Sequence, residues 1–530
     1  MADPTRNDAR EPPAFHSERE LIVLSRTGGV SRGAAPAPAS PQELTGLLQS
    51  YGARMTPVFE VSPRTAVART PRAAARAGAR APVAQLPNYY AVQVADDRKD
   101  ELAEQLRNHP LVEAAFVKPA PEPPVRPPAA GGPSSRPMPP VPAASPTIAD
   151  FTSRQGYLEK APEGIDARRA WKRPGGRGAD VNVIDIEGEW NFAHDDLIVN
   201  QGGMIGGSSA NDLGWRNHGT AVAGEISADV NGFGCTGISP EAHIRAISVF
   251  GPSSGTAGAI RQAADALSPG DILLIELHFP GPRFNFAPRA DQLGYIAAEW
   301  WPDNFAAITY ATAVRGVIVV EAAGNGAEDL DAARYDTPAA GFPATWRNPF
   351  RLNNPQSGAI IVGAGAPPPG THPNTDWGPD RSRLDFSNYG TRVDVQGWGR
   401  EVTTTGYGDL TGGTENQWYT DVFSGTSSAS PIVVGALACM QGALRAAGKP
   451  LLTPAKAQAL LRATGSPQAA GPGRPVTQRI GNRPDLKAAF AALKLGPGRP
   501  KRKKPKSTRA SRRGSTSRGS ARGSRRTARK

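Results

Sequence analysis

Short apolar runs alternate with amphipathic stretches along most of this chain. Near the start, Leu21-Ile22-Val23-Leu24 predicts a strand, residues 42–51 carry helical spacing, and residues 55–61 predict a second strand. After an Arg- and Ala-rich insertion, residues 89–94 and 112–117 read as strands around a helix at 98–107. The order is βαββαβ, a small split βαβ module. Further on, residues 181–184, 244–249, 272–277, 317–321 and 360–362 are short, nearly unbroken apolar runs. Between and after them, residues 218–227, 256–267, 305–315, 427–446 and 453–463 have the length and spacing of helices. Strands without polar alternation are buried on both faces. Interleaved with helices, they predict an α/β fold, a doubly wound parallel sheet covered on both sides.

Composition divides the chain. Residues 119–146 hold twelve prolines, with Gly131-Gly132 in the middle, as a stiff extended linker would. The expected organisation is a polar N-terminus (1–19), a small domain (20–118), a proline-rich linker (119–148), a large domain (149–494) and a tail (495–530). The net charge is +13, yet residues 499–530 alone hold fifteen Lys and Arg and no acid, which leaves about −2 for the rest. The tail mixes Arg and Lys with Ser, Gly and Thr, cannot bury a core, and is expected to be disordered. It suits contact with nucleic acid or another polyanion through counterion release, without the aromatic residues that stack on bases; the plainer reading is a solvated extension. No run approaches the ~20 apolar residues of a membrane span, and residues 1–20 lack an apolar signal core. The expectation is a soluble protein with no membrane contact, cytoplasmic by default. Cys235 and Cys439 are expected to be buried thiols rather than a disulfide.

Four segments carry candidate chemistry. Asp185 ends the run Val183-Ile184-Asp185, and His218 lies in Asn217-His218-Gly219-Thr220. Asn325 lies in Ala322-Ala323-Gly324-Asn325-Gly326, and Ser427 in Ser424-Gly425-Thr426-Ser427-Ser428-Ala429-Ser430-Pro431. A serine hydroxyl needs an adjacent base to become a nucleophile, and imidazole can take that proton and return it. A carboxylate on the far ring nitrogen fixes the tautomer, and a side-chain amide can donate to the oxyanion. Gly219 and Thr220 predict that a helix starts at the histidine. The apolar stretch after Ser427 puts that serine at a helix N-terminus, with Pro431 tolerated in the first turn. Singly, each residue has a structural reading: a turn acid, a capping histidine, a helix-start serine, a Gly-Asn-Gly turn. In this order they make a full set for acyl transfer. An α/β-hydrolase needs a histidine after the serine, and the last one here is His372; the chymotrypsin order puts histidine first.

Over residues 179–491 these segments resemble those of the subtilisin-like serine peptidases, the subtilases. Gly237-Ile238-Ser239-Pro240-Glu241-Ala242 and Phe386-Ser387-Asn388-Tyr389-Gly390 with Val393-Asp394-Val395 extend the resemblance. It implies a subtilisin-like sheet, Asp185 as the acid, His218 as the base, Ser427 as the nucleophile and Asn325 as the oxyanion donor. The sequence departs from the family at Asp185-Ile186-Glu187-Gly188, where Asp-Ser/Thr-Gly is usual, and at Asp195, which replaces a proline. It departs again at Glu276-Leu277-His278-Phe279, where the substrate-binding strand normally reads Ser-Leu-Gly-Gly. By the resemblance Glu276, Leu277, His278 and Gly324 are substrate-binding candidates, and Glu276 and His278 would favour basic residues if they line a pocket. The strand ending Pro110-Leu111-Val112-Glu113-Ala114-Ala115-Phe116-Val117 resembles the end of the family's inhibitor-type propeptide, which implies that residues 20–118 chaperone and inhibit the large domain until the linker is cut. No obligatory cofactor is expected; calcium is common in the family, but no oxygen-rich site is evident in the sequence. The expected activity is endoproteolysis of protein or peptide substrates. The alternative is a catalytically inactive relative that binds peptides or a polyanion. Nothing in the sequence sets an oligomeric state.

Overall fold

The computed structural model describes residues 18–26, 41–59, 88–124, 148–251, 255–372 and 375–496. The Arg- and Ala-rich insertion, most of the proline-rich segment, the extreme N-terminus and the basic tail lie outside the described residues.

The small domain runs β1 (Glu20–Ser25), α1 (Pro41–Ser50), β2 (Arg54–Pro57), β3 (Tyr89–Gln93), α2 (Lys99–Arg107) and β4 (Val112–Lys118). This is the expected βαββαβ order. The strands form one antiparallel sheet, ordered β2-β3-β1-β4. Side chains alternate across a sheet, so β1 faces two ways. Leu21 and Val23 pack with Leu102, Leu106 and Val92 under the helices. Ile22 and Leu24 point the other way, with Tyr89, Ala114 and Phe116, into the core of the large domain.

The large domain continues with α3 (Ala167–Ala170), β5 (Asn182–Glu187), β6 (Gln201–Gly206), α4 (Leu213–Ser227), β7 (His243–Ser248), α5 (Gly255–Ala266) and β8 (Ile272–Ile275). Then come β9 (His278–Pro280), β10 (Tyr295–Ala297), α6 (Pro302–Thr309), β11 (Ile318–Ala322), β12 (Ile360–Gly365), β13 (Val395–Trp398), β14 (Val402–Thr405) and β15 (Tyr419–Phe423). The last helices are α7 (Thr426–Ala446), α8 (Pro454–Thr464) and α9 (Leu486–Ala492). Seven strands form a parallel sheet, ordered β13-β12-β11-β8-β5-β7-β6. The order of connection reverses at β5, so the strand ends beside it form a switch-point crevice, where α/β folds bind ligands.

Each buried strand feeds two cores. Val183, Ile272, Leu274, Ile318 and Val320 pack against α4 and α7. Ile184, Ile186, Leu273, Ile275 and Val319 pack against α5 and α6. That division explains the unbroken apolar runs. Among the described residues α7 is the one helix long and apolar enough to cross a membrane, and it is wholly buried in this core. Strands β6 and β13 were not expected. Strand β6 is Gln-Gly-Gly-Met-Ile-Gly, an edge strand without a continuous apolar run.

Two local expectations differ. Helix α4 starts five residues before His218, because the Asp212 side chain accepts from the Trp215 N–H at 2.9 Å and caps it. Pro431 falls in the second turn of α7 rather than the first, so the bond that its missing N–H would have made to the Ser427 carbonyl is absent.

Residues 119–124, expected within the linker, are extended along the large domain. Glu122 pairs with His278 in an antiparallel bridge, with N–H···O distances of 3.1 and 3.0 Å in the two directions.

Candidate active site

Strand alternation positions the acids. Val183 faces α4 and α7, so Asp185 and Glu187, two and four residues on, face the same way at the end of β5. Glu276, just past the end of β8, continues the line of Ile272 and Leu274 toward α7. All three carboxyl groups are buried.

His218 lies in the second turn of α4, which packs against α7. Its Nδ1 bonds Glu187 Oε2 at 2.5 Å. The expected partner, Asp185, instead accepts from the Trp190 indole N–H at 2.8 Å. This departs from the sequence expectation, and strand periodicity allows it: Glu187 is on the same face of β5, two residues further along, and its longer side chain reaches the ring. Asp185 sits behind Glu187. One oxygen of each, Asp185 Oδ1 and Glu187 Oε1, is buried without a hydrogen-bond donor. The two carboxyls neighbour each other, and a single proton held by Asp185 and offered to Glu187 satisfies both. Burial pushes both pKa values above the usual carboxylate range; the Glu187 charge raises that of Asp185 further, whereas the hydrogen bond from Asp185 draws that of Glu187 down, so the shared proton sits on Asp185 and the charge on Glu187. Burial drives the His218 pKa down to about 3 against the pull of the Asp185 carboxyl, so the ring is neutral at ordinary pH. Its Nε2, the nitrogen that a serine proton would reach, has no protein partner among the described residues.

Ser427 is the second residue of α7, at the positive end of the helix dipole. Its hydroxyl donates to the Pro124 carbonyl at 3.0 Å. Asn325, on the loop after β11, is held by the first residue of α7: its Oδ1 accepts from Thr426 N–H at 2.9 Å and Thr426 Oγ1 at 3.0 Å. Its Nδ2 is thereby turned away from the helix, toward Gln292 Oε1 at 3.3 Å. Gly425 forms the floor. A Cβ there would stand 2.1 Å from the Pro124 oxygen and 3.2 Å from Asn325 Nδ2. Only glycine leaves that carbonyl its seat, and φ of +118° also favours it.

The other candidates divide. His278 bonds the incoming strand through its backbone, while its Nδ1 accepts from the Asn325 N–H at 3.3 Å. Burial lowers its pKa well below the usual imidazole value. Leu277 belongs to the core. Gly324 has φ of +97°, and a Cβ there would meet the Asn388 amide at 2.8 Å. Glu276 lines no open pocket. Its carboxyl is enclosed beside the Ser430 and Ser427 hydroxyls, and burial raises its pKa well above the carboxylate range against their pull. Enclosed beneath the serine, that carboxyl presents no open face to a basic substrate residue, so the expected basic preference has no source in Glu276.

Sequence reasoning passed over Glu187, Trp190, Gln292 and Tyr295. The departure Ile186-Glu187-Gly188 was the available signal for the first. Gln292 lies in the segment joining β9 to β10 and Tyr295 opens the three-residue β10, and neither stretch has a pattern that gave one.

The sequence profile of the Subtilase family matches residues 94–490. Subtilisin NAT of Bacillus subtilis subsp. natto is 26% identical over 286 residues, 53% of this chain and 61% of that protein. Subtilisin DY of Bacillus licheniformis is 30% identical over 284 residues, 53% of this chain and 84% of that one. A solved protease structure from Pseudoalteromonas arctica aligns at 22% identity and a TM-score of 0.44, covering 66% of this chain and 99% of that chain. The chain spans about three fifths of the length of the first of these relatives, 61%.

Proposed function

The chain belongs to the subtilase family, and on that premise we propose that it is a serine endopeptidase acting on protein or peptide substrates, with Ser427 as its nucleophile. One observation carries the reading: the Ser427 hydroxyl touches the carbonyl of an extended peptide, Pro124, that is paired to the cleft edge as a substrate would be.

In the proposed reaction Ser427 Oγ attacks the carbonyl carbon and its proton passes to His218 Nε2. Glu187, on Nδ1, fixes the tautomer and stabilises the imidazolium; Asp185 holds Glu187 in place from behind. Charge developing on the carbonyl oxygen meets Asn325 Nδ2 and the N-terminus of α7. The C–N bond then breaks, His218 returns its proton to the departing amine, and water releases the acyl group by the same relay. Every group in this scheme belongs to the chain itself, and no cofactor takes part.

By the same reading residues 20–118 form an inhibitory domain whose end, residues 119–124, fills the cleft, and the first bond cut is the one after Pro124. The basic tail is proposed as a polyanion contact outside this chemistry.

The test compares wild type with Ser427→Ala by intact mass and casein hydrolysis. Cleavage after Pro124 and digestion of casein by wild type alone support the proposal. If wild type stays whole and does not react with a fluorophosphonate probe, the inactive peptide-binding relative is the correct reading.

A further inference from the structure

The grip on residues 122–124 is unusual in its balance. Pro123 and Pro124 have no N–H, so Glu122 supplies the one backbone donor of the three residues. A strand held this poorly by its backbone relies on its side chains. Glu122 has an elaborate set of partners. Its Oε1 accepts from the Tyr295 hydroxyl at 2.6 Å, and its Oε2 from Gln292 Nε2 at 3.2 Å.

Both donors are committed in direction. The Tyr295 oxygen already accepts from the Arg289 N–H at 3.0 Å, which leaves its proton for the glutamate. Gln292 is enclosed, and its Oε1 faces Asn325 Nδ2. Its Nε2 is thereby turned to the strand, where it also donates to the Pro123 carbonyl at 3.0 Å. Two groups that each present a proton to the side chain complement one that only accepts, which is a carboxylate. A glutamine would turn its NH₂ against one of them, and a lysine would bring nothing but donors.

We propose that Tyr295 and Gln292 form a subsite for a glutamate three residues before the cleaved bond, so that the cleft selects peptides with an acidic residue at that position. The inference rests on Ser427 being the nucleophile that faces the cleaved bond. Gln292 further ties the subsite to the reaction centre, because the amide that reads the glutamate also holds Asn325.

The test uses the full chain and two readouts. In the Ser427→Ala background, hydrogen exchange of the paired amides of residues 122 and 278 is followed by mass spectrometry. Glu122→Ala is expected to speed exchange by about tenfold, the value of one charge-assisted hydrogen bond pair. Tyr295→Phe, which removes only an oxygen, should act likewise, and the two together should do little more than either. In the wild-type background, peptides Ala-Pro-X-Pro-Pro extended beyond the bond should rank Glu, Gln, Ala, Lys in kcat/KM. Glutamate should exceed alanine by about tenfold, a preference that Tyr295→Phe collapses. Unchanged exchange in Glu122→Ala, or hydrolysis indifferent to X, overturns the subsite while the peptidase stands. Faster exchange in Glu122→Ala and Tyr295→Phe with no peptide hydrolysed keeps the subsite and removes the peptidase.

Discussion

Glu187 and Asp185 share one face of β5 but not one role, and the difference is measurable. Glu187→Gln keeps the shape and removes the charge that meets His218 Nδ1. It should lower kcat by about 10²–10⁴ with little change in KM, as removal of a triad carboxylate does. Asp185→Asn retains a donor toward Glu187 and an acceptor for the Trp190 indole, and should cost about tenfold or less. Steady-state kinetics on a peptide substrate separates the two; equal losses would return Asp185 to the central role. Glu276 makes a second case at this scale. Its folded-state pKa is raised, so above its ordinary value of 4.5 the folded chain holds a proton that the unfolded chain has released. Stability from this group is therefore present at low pH and falls as pH rises, by up to about 1.4 kcal/mol per pH unit. Glu276→Gln has no such proton to hold. Urea unfolding in the Ser427→Ala background should show its advantage over Glu276 growing from pH 5 to pH 8.

Elements account for what the sequence disclosed and what it hid. The buried strands β5, β7, β8, β11 and β12 announced themselves because each must be apolar on both faces. The same two-residue period that makes them legible also places Asp185 and Glu187 together, and the family pattern at Asp185 drew attention from the nearer acid. Ser427, Asn325 and His218 were readable because their neighbours are constrained: Gly425 by a carbonyl seat, Thr426 by its bonds to Asn325. Gln292 and Tyr295 were not, because neither the connection that holds Gln292 nor the three-residue strand that Tyr295 opens has a periodicity to read. The start of α4 was set too late because Gly219 and Thr220 drew it to His218, whereas the cap is Asp212. Gly425→Ala tests the element junction between β15 and α7. A methyl group 2.1 Å from the seated carbonyl oxygen cannot coexist with it, so kcat/KM should fall by more than about 10² while circular dichroism stays native.

For the whole molecule, the contact between the two domains is a core rather than a surface. Phe116 lies against Trp301 and Phe342 with ring centroids 6.2 and 5.0 Å apart. At the end of β4, Lys118 is buried on Asp303 at 2.5 Å, with Asn304 and Glu20 at 3.1 and 3.0 Å. Burial works to lower its pKa, and the Asp303 and Glu20 carboxylates outweigh it, so the ammonium remains charged. Lys118→Met strands Asp303 without its partner and should cost about 3–5 kcal/mol of domain association, seen as early release of the small domain in urea. The Phe116 contact has a consequence in time. A cut after Pro124, as proposed, would sever the chain but leave every ring of this core where it was, so scission and departure would be separate events. The progress curve of a freshly folded sample should open with a lag whose length is insensitive to how fast the bond is cut, and Phe116→Ala should shorten it.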